Sequence, residues 1–318
     1  MHYEYLFGPV PSRRLGVSLG IDLIPLKTCS YNCVYCECGR TTDLTVERRE
    51  YVPTDDVIRE LDDFLATAPI LDYITFSGSG EPTLHSGIGR ISHHIKACYP
   101  GYRLALLTNG SLFWDPGLRS EVQEIDVIIP SLDAVSPSIF HKINHPHGAL
   151  SIDRIISGLV ALREEYSGEI WLEIFIIPGL NDTPAELGLF RDAIAKIRPD
   201  RVQLNSLDRP GVVDWVQKAP QESLREIAGL LDHPQVDVVG TPASRVGISC
   251  FHEDLLDQIT STIRRRPCTL GDLSAITGLH ASELKKYLEV LLEKGIIEEK
   301  KEPRGIFYRP AKGASVHE

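Results

Sequence analysis

The stretch LGVSLGIDLIPLKTCSYNCVYCECG, residues 15–39, joins a predicted β-strand to a loop that holds four cysteines. Its first ten residues are mostly apolar, as expected for a buried strand. The spacing C-x3-C-x2-C follows, at Cys29, Cys33 and Cys36, and Cys38 comes two residues later. Thiols this close in the chain predict a metal site rather than a disulfide framework.

Outside this stretch, short apolar runs alternate with helical stretches as far as about residue 206. Six runs predict strands, at residues 15–24, 72–78, 102–109, 125–133, 169–177 and 201–207. Residues that favour helix starts stand between them, namely Thr54, Asp115, Ser136 and Thr183, the last forming a predicted capping box with Glu186. Repeated β/α units predict an α/β fold, a partial (β/α)6 barrel of the TIM type, with its chemistry at the carboxyl ends of the strands.

The pattern changes after residue 210, so the barrel is assigned to residues 1–210. Residues 211–250 are predicted to form a connector with one helix and room for a short strand. Residues 251–312 show three helical stretches and then two short strands around a charged tip, which predicts a small winged helix-turn-helix domain. Residues 313–318 are predicted to be a disordered tail.

Composition limits the class of protein. The 318 residues are 42% hydrophobic and contain no run of about 18 apolar residues, and no secretory signal is recognised, so we predict a cytoplasmic protein with no membrane partner. The net charge of −11 disfavours broad attraction to nucleic acid. The other cysteines, Cys98, Cys250 and Cys268, are scattered, which fits a reducing compartment.

Three thiolates in one loop can hold three irons of a [4Fe–4S] cluster and leave the fourth iron open to a small molecule. With Tyr35 before the last cysteine, the motif resembles that of the radical S-adenosylmethionine (SAM) superfamily. The resemblance implies that the metal ligands are Cys29, Cys33 and Cys36, and that Cys38 is a free thiol close to the cluster. A zinc site closed by Cys38 is the alternative, although zinc sites usually present two separated C-x2-C pairs.

The resemblance also implies SAM-binding residues at the strand ends. Gly80, Glu81 and Pro82 resemble the superfamily's G-E-P element, which receives the methionyl ammonium of SAM. Ser131 and Asp133, on one face of the fourth predicted strand, are where the family binds the ribose hydroxyls or the carboxylate of SAM. Positions at strand ends that face the barrel mouth add Asn109, Gln203 and Asn205 to the predicted cofactor-binding residues, which also include Tyr35 of the cysteine motif. Glu173 on the fifth strand is predicted to contact the adenosine, with a position outside the site as the alternative. The structural alternatives are a plain turn at residues 80–82 and satisfied interior amides elsewhere.

A further set of residues lies in loops near the predicted site and offers candidate substrate contacts. It comprises Arg13, Arg14, Cys38, His145 and His147. The arginines suit a carboxylate or phosphate, and the histidines flank a proline in a loop. Ordinary solvated charges and exposed histidines are the alternatives at these positions.

Five segments, GPVPSRRLG, CSYNCVYCECG, SGSGEPTLH, SLDA and IIPGLND, together resemble the radical SAM branch allied to wyosine-type tRNA imidazoguanosine synthases, over residues 7 to about 210. This resemblance implies an enzyme in which the reduced cluster cleaves SAM and a hydrogen atom is then abstracted from a substrate. It also implies a low-potential electron donor such as ferredoxin or flavodoxin. A tRNA substrate is one alternative, which 33 acidic against 22 basic residues in 1–250 disfavour.

A second alternative is an iron–sulfur redox-sensing regulator that acts through the winged helix. Residues 251–318 hold 11 basic and 11 acidic residues, so this domain lacks the positive charge that supports nonspecific DNA binding. We therefore predict a protein or peptide partner for the winged helix ahead of nucleic acid.

Overall fold

The computed structural model describes residues 3–208, 211–239, 255–277, 279 and 281–311. Two sequence predictions fall outside this part of the chain. They are the disordered tail at residues 313–318 and the last residues, 240–250, of the connector.

Residues 3–208 and 211–239, which we call the barrel portion, contain ten strands: Leu6–Ser12 (β1), Gly16–Ile21 (β2), Thr28–Cys29 (β3), Asp43–Leu44 (β4), Tyr73–Phe76 (β5), Leu104–Thr108 (β6), Val127–Pro130 (β7), Glu169–Phe175 (β8), Arg201–Asn205 (β9) and Val236–Val238 (β10). Strand β10 lies in the stretch that the sequence predicts as the connector. Eight of them form one sheet in the order β1-β2-β5-β6-β7-β8-β9-β10. The pairs from β2 to β10 are parallel, and β1 pairs antiparallel with β2. Strands β3 and β4 form a separate pair that brackets the cysteine loop.

Helices join the parallel strands, as the alternating sequence pattern predicts. They are Thr54–Leu65 (α1), Ile88–Cys98 (α2), Pro116–Glu121 (α3), Pro137–Asn144 (α4), Ile152–Glu165 (α5), Pro184–Ile197 (α6) and Gln221–Leu230 (α7), with a short 3-10 turn at Pro82–Leu84. The α/β class with a parallel-sheet core is therefore confirmed. Each of the six predicted strands is present, and each is shorter than predicted because its terminal residues belong to loops.

Strand β1 is absent from the sequence predictions. Pro9 lies in it, and a proline argues against a central strand because it has no N–H to donate. The sheet places β1 at its edge, where proline is tolerated.

The sheet buries both of its faces. On the outer face, residues such as Ile74, Leu106 and Ile128 are fully buried in the main core beneath the helices. On the inner face, Tyr73, Ala105, Val127 and Trp171 belong to a second, smaller core. Burial of one such aliphatic side chain contributes about 1.5–3 kcal/mol, so the strand ends are held by extensive packing.

The helix starts show one correction. Asp115 caps α3 by accepting from Gly117 N (2.8 Å), and Thr183 accepts from Glu186 N (3.3 Å) at the start of α6. Glu186, however, accepts from Val135 N and Ser136 N at the start of α4. The predicted capping box is therefore wrong in its second half, because Glu186 ties α6 to α4 instead. Ser136 stands at the N-cap of α4 without a capping bond from its side chain.

Beyond the barrel portion, residues 255–311 contain Leu255–Arg265 (α8), Cys268–Thr269 (β11), Leu270–Thr277 (α9), Ala281–Glu293 (α10), Ile297–Glu302 (β12) and Gly305–Pro310 (β13). We call the described part of this stretch the C-terminal unit. Its strands form an antiparallel sheet in the order β11-β13-β12. It has its own core, formed by residues such as Ile259, Leu273, Leu288 and Ile297. Among the described residues, no helix is long and apolar enough to cross a membrane.

Candidate cluster and cofactor site

The cysteine loop is held against the carboxyl end of α4. A helix leaves its last carbonyl groups without partners inside the helix. Here Val34 N donates to Ile143 O (2.9 Å), and Asn32 N donates to Asn144 O (2.9 Å). His145 adopts a left-handed conformation (φ 40°) and ends the helix. Backbone hydrogen bonds therefore fix the loop independently of any metal.

Each cysteine of the C-x3-C-x2-C motif has a side-chain N–H donor directed at its sulfur. Asn109 Nδ2 lies 3.5 Å from Cys29 Sγ, Asn144 Nδ2 lies 3.4 Å from Cys33 Sγ, and Lys27 Nζ lies 3.0 Å from Cys36 Sγ. A thiolate accepts such bonds, and donors to sulfur ligands help to set the properties of a metal site. The three sulfurs are thus provided with matching donors from three different elements.

Cys38 has the opposite environment. Its Sγ donates to Arg265 O (2.9 Å) and lies 3.8 Å from Gly78 O, so carbonyl oxygens surround it. A carbonyl accepts a hydrogen bond and cannot donate one, which favours the protonated thiol. In the part of the chain that the structure describes, no group of three or more His, Cys, Asp or Glu side chains converges on a single metal-ion position.

The pKa shifts of the adjacent thiols follow this contrast. Interaction with the adjacent Cys38 side chain, and after the opposing effect of burial the charge of Lys27, lower the pKa of Cys36 to about 5. Interaction with the adjacent Cys36 sulfur, together with burial, raises the pKa of Cys38 well above its ordinary value. Burial is also the main cause that raises the pKa of Cys29 to about 12. Within the Cys36–Cys38 pair, both shifts therefore favour the thiolate at Cys36 and the thiol at Cys38.

Lys27 is a buried residue that the sequence analysis did not single out. It is 6% exposed and has a positive φ of 63°, a conformation that is uncommon for a residue with a side chain. Burial acts to lower the pKa of its ammonium, but the nearby thiolates, Cys36 first, raise it above its ordinary value. A strained and buried lysine beside a sulfur is typical of a functional position.

The G-E-P segment follows β5 and lies beside the cysteine loop. Glu81 is 2% exposed, and its Oε1 accepts from Thr83 N, Thr83 Oγ1 and Thr108 Oγ1. Its Oε2 accepts from Asn109 N (2.7 Å) and has room for a second donor. Burial raises the pKa of Glu81, and these hydrogen bonds oppose the shift. The carboxylate therefore joins the ends of β5 and β6, and among the described residues its Oε2 accepts one hydrogen bond.

Two glycines let other groups approach this segment closely. A Cβ on Gly80 would lie 2.0 Å from Thr28 O, and a Cβ on Gly78 would lie 2.2 Å from Asp22 Oδ1. Gly78 also has a φ of 149°, which side-chain-bearing residues rarely adopt. Glycine is therefore required at both positions for the cysteine loop and Asp22 to contact the segment.

These elements enclose a cavity of about 240 Å³. It is lined by Arg14, Lys27, Cys29, Cys33, Tyr35, Cys36, Cys38, residues 77–81, Leu107, Thr108, Asn109, Ile129, Ser131 and Glu173. The cavity thus brings together the motif cysteines, Cys38 and six of the predicted cofactor-binding residues, Tyr35, Gly80, Glu81, Asn109, Ser131 and Glu173. Pro82, Asp133, Gln203 and Asn205, and also Arg13, His145 and His147, do not line it.

Asp133 occupies a buried network behind the cavity. Its Oδ2 accepts from Tyr35 OH (2.5 Å) and Asn144 Nδ2 (2.8 Å), and its Oδ1 accepts from Phe175 N (3.0 Å). Tyr35 also stacks on Phe175, with ring centroids 3.9 Å apart. Burial raises the pKa of Asp133, and the bond from Tyr35 is the largest opposing effect. Asp133 therefore orients Tyr35 and Asn144.

The wall opposite the cysteines is polar. Glu173 and Gln203 are register partners on β8 and β9, and Ser131 bridges to Glu173. Arg14 forms an ion pair with Glu173, and burial lowers the pKa of Arg14 to about 10. Gln203 is 4% exposed, and within the described part of the chain its Oε1 has no hydrogen-bond partner.

The remaining predicted residues lie around this wall or outside it. Asn205 Oδ1 accepts from Arg13 (3.4 Å), which also pairs with Asp208 (3.7 Å). His145 is exposed, and His147 Nδ1 accepts from Ala149 N (3.2 Å) within its own turn. The histidine loop contacts the cysteine loop through backbone atoms, since His147 N donates to Ser30 O (2.9 Å).

The sequence analysis missed Lys27, Asn144 and Thr108, which contact the motif cysteines or Glu81. Lys27 stands two residues before Cys29 and Asn144 directly before His145, but proximity in the chain does not show where a side chain is directed. Thr108 ends β6 beside Asn109, and its position at a strand end was the one available signal.

Comparison with known proteins agrees with this arrangement. The profile described as "Radical SAM superfamily" matches residues 23–187. The chain is 33% identical over 299 residues to a protein called GTPase Obg from Brachyspira hyodysenteriae, covering 92% of this chain and 43% of that one. It is 32% identical over 293 residues to a "UPF0026 protein" from Helicobacter pylori strain J99, covering 90% and 91% of the two chains.

A solved structure shows a similar fold at low sequence identity. A radical SAM methyltransferase from Sphaerobacter thermophilus superposes with a TM-score of 0.55 and 15% identity, over 70% of this chain and 66% of that chain. The α/β fold with a parallel-sheet core is therefore common to both proteins.

Proposed function

The chain belongs to the radical SAM superfamily, whose cofactors are a [4Fe–4S] cluster and SAM, and from this we propose an enzyme that cleaves SAM reductively and abstracts a hydrogen atom from a substrate. When bound, the reduced cluster supplies the electron that breaks the sulfonium bond of SAM, and the cleaved cofactor takes the hydrogen. The protein's own part is to bind, orient and shield these groups.

The observation that carries the proposal is the contrast among the four cysteines. Cys29, Cys33 and Cys36 each accept an N–H bond from a different side chain, whereas Cys38 donates to a carbonyl. This set fits three thiolate ligands and one free thiol, which leaves one iron of a four-iron cluster without a protein ligand. We assign Cys29, Cys33 and Cys36 as the ligands.

For SAM, we propose that the second acceptor position on Glu81 Oε2 and the backbone around Gly80 receive the methionyl ammonium. Both lie in the cysteine-lined cavity, and the glycine allows a group to approach the backbone closely. Pro82 begins the 3-10 turn after Glu81 and sets its direction. Asp133 acts indirectly, because it holds Tyr35 and Asn144.

The polar wall supplies the remaining contacts to SAM and substrate. We propose that Ser131, Asn109 and Glu173 face SAM, since they line the cavity, and that Gln203 completes its hydrogen bonding with a bound group because burying an amide oxygen without a partner is costly. Arg14, Arg13 and Asn205 lie on the same side of the barrel and suit a polar substrate. The two histidines and Cys38 are weaker substrate candidates, because their described contacts are within the protein.

We further propose that the C-terminal unit is a winged helix that docks a protein or peptide. Three helices and a three-stranded antiparallel sheet support this assignment. A low-potential donor such as ferredoxin or flavodoxin is the proposed source of electrons, as in other members of the superfamily.

The test begins with anaerobic purification and reconstitution. We expect about four irons per chain, a cluster spectrum that changes on addition of SAM, and release of 5′-deoxyadenosine after reduction. Fewer than about three irons per chain would contradict a four-iron cluster. Salt-dependent DNA binding without SAM cleavage would favour the redox-sensing regulator.

A further inference from the structure

The C-terminal unit meets the barrel at the cysteine-lined cavity. Arg265, the last residue of α8, places its carbonyl oxygen 2.9 Å from Cys38 Sγ and its Nε 3.5 Å from Asp22 Oδ2. Its guanidinium also lies over the ring of Phe7, 4.9 Å from the centroid. Arg265 therefore contacts the cysteine loop, the end of β2 and strand β1 together.

Asp22 links Arg265 to residues 78–79, which precede Glu81. Its carboxylate accepts from Ser79 Oγ (2.9 Å) and Ser79 N (3.3 Å) and packs against Gly78, where a Cβ would collide with it. Cys38 approaches Gly78 O from the other side. The contacts form a closed ring of Arg265, Asp22, the 78–79 backbone and Cys38.

The ring is largely shielded from water. The side chains of Arg265 and Asp22 are 17% and 10% exposed. An ion pair in such surroundings is screened less than a surface pair, and removal of one partner leaves the other charge poorly solvated. The position of residues 78–79 therefore depends on a residue of the C-terminal unit.

We propose that Arg265 couples docking of the C-terminal unit to SAM binding by fixing Asp22 and, through it, the Ser79–Glu81 segment. Among the described residues, Arg265 reaches this segment only through Asp22 and Cys38, so it acts as a positioning residue. The inference rests on the proposed function for the identity of the ligand. By linkage, SAM must favour the docked unit by the same factor by which docking favours SAM. A partner that moves α8 would thereby change the affinity for SAM.

A second ion pair at the same interface supplies a matched control. Arg304 pairs with Asp208, after β9, and with Asp272 in α9. Asp208 also pairs with Arg13 (3.7 Å) and Lys218 (3.5 Å). Among the described residues, none of Arg304's contacts involves residues 77–81. Arg304→Gln therefore loosens the interface without touching the ring.

The experiment measures SAM affinity by anaerobic equilibrium dialysis with full-length, cluster-loaded protein. We expect Arg265→Gln to weaken binding about tenfold, Arg265→Lys to retain part of the affinity, and Arg304→Gln to stay within about twofold of wild type. An affinity within about twofold of wild type in Arg265→Gln would overturn the proposal. An equal loss in Arg304→Gln would also overturn it, because loosened docking in general would then be the cause.

Hydrogen exchange of the SAM-free proteins separates this inference from the proposed function. We expect faster amide exchange at residues 77–80 in Arg265→Gln and wild-type rates there in Arg304→Gln. Unchanged exchange at 77–80 in Arg265→Gln would refute the coupling whether or not SAM binds. A wild-type protein that binds no SAM would instead refute the proposed function. The exchange result would still test whether Arg265 positions residues 77–80.

Discussion

The two sides of the cofactor cavity are held in different ways. On the barrel side, the strands that carry Glu81 and Asn109 pack through fully buried residues such as Ile74 and Leu106. On the side of the C-terminal unit, the polar contacts with the barrel include three ion pairs, Arg265 with Asp22, Arg304 with Asp208 and Lys300 with Asp214, and hydrogen bonds such as the one from Cys38 Sγ to Arg265 O.

This difference predicts two classes of response to mutation. A packed strand end has one arrangement. Changing a buried group there therefore lowers the stability of the fold and also disrupts the geometry of the site. An ion-paired interface contributes less and can separate without unfolding either side. We therefore expect all-or-none effects in the barrel wall and graded effects at the C-terminal unit.

The largest effect is expected at the motif cysteines. Cys33→Ala removes the sulfur that faces Asn144, so we expect no stable cluster and no cleavage of SAM. Iron content and the visible spectrum after anaerobic reconstitution measure the first result, and 5′-deoxyadenosine release measures the second. The same outcome is expected for Cys29→Ala and Cys36→Ala.

Cys38→Ala and Cys98→Ala are the matched controls. Cys38 donates to Arg265 O, and Cys98 lies exposed at the end of α2. Both variants should assemble the cluster. Loss of the cluster in Cys38→Ala would show that four sulfurs bind metal and would overturn the ligand assignment.

The second-largest effect is expected at Glu81, a buried carboxylate in the barrel wall. Glu81→Gln replaces an acceptor-only group with an amide whose NH₂ must face an N–H or O–H donor, since each oxygen of Glu81 already accepts from at least one. We expect a loss of about 1–3 kcal/mol in the free energy of unfolding and weaker SAM binding, measured by denaturant unfolding and by dialysis. Glu169→Gln, at a side chain that is 46% exposed, should change stability by less than about 0.5 kcal/mol. Equal losses in the free energy of unfolding of Glu81→Gln and Glu169→Gln would contradict the predicted difference between the buried and the exposed carboxylate.

The contrast between the packed strands and the parts of the molecule held by other contacts also explains how much of the fold the sequence predicts. The alternating pattern predicts β2 and the strands β5 to β9 of the large sheet, because a strand buried on both faces leaves a strong apolar signal. It misses the short parallel pair of β3 and β4 beside the cysteine loop. It misses β1, whose proline suits an edge position that sequence alone does not reveal. It also misassigns Glu186, because a carboxylate in the first turn of one helix can equally accept from the start of another.

For the site, the sequence predicts the residues that lie in compact motifs. The cysteines, Gly80 and Glu81 line one cavity, and their roles as ligands stay a prediction. The donors Asn144 and Lys27 come from a helix end and a strained loop position, and no periodicity marks them. The resemblance groups Asp133 with Ser131, but only Ser131 lines the cavity, because Asp133 is occupied by Tyr35 and Asn144.

A smaller effect is expected at Asp208, on the side of the C-terminal unit. Its side chain is 4% exposed and faces Arg13, Lys218 and Arg304. Asp208→Asn removes the carboxylate that these three cations share, and Arg304 keeps its pair with Asp272. We therefore expect the C-terminal unit to lose about 1 kcal/mol of protection, measured by hydrogen exchange at residues 270–276. Asp214→Asn, at a side chain that is 92% exposed, is the control. A similar loss in the control, or lost protection in β5 and β6 of Asp208→Asn, would contradict independent responses of the two sides.

The smallest effect is a dependence of barrel stability on pH. His85 is fully buried beside the G-E-P segment, where its Nε2 donates to Val52 O (2.8 Å) and its Nδ1 accepts from Gly87 N (3.0 Å). Protonation of Nδ1 would turn this acceptor into a donor. Its N–H would then face the N–H of Gly87, and the hydrogen bond would be lost. Burial lowers the pKa of His85, and the bond to Val52 O partly opposes the shift.

Because the pKa of His85 is lower in the folded state, its contribution is complete above about pH 6.5, the ordinary value in an unfolded chain. As the pH falls below 6.5 towards the folded-state pKa, the unfolded chain takes up a proton that the folded chain refuses, and stability decreases. We expect a loss of up to about 1 kcal/mol between pH 7.5 and 5.5, absent in His85→Gln and retained in His93→Gln, whose side chain is 72% exposed on α2. Protection from hydrogen exchange should show this loss at residues 73–76 and should not show it at residues 270–276. If both regions showed it equally, or if His85→Gln kept the full pH dependence, the barrel wall would not be the separately stabilised side of the site.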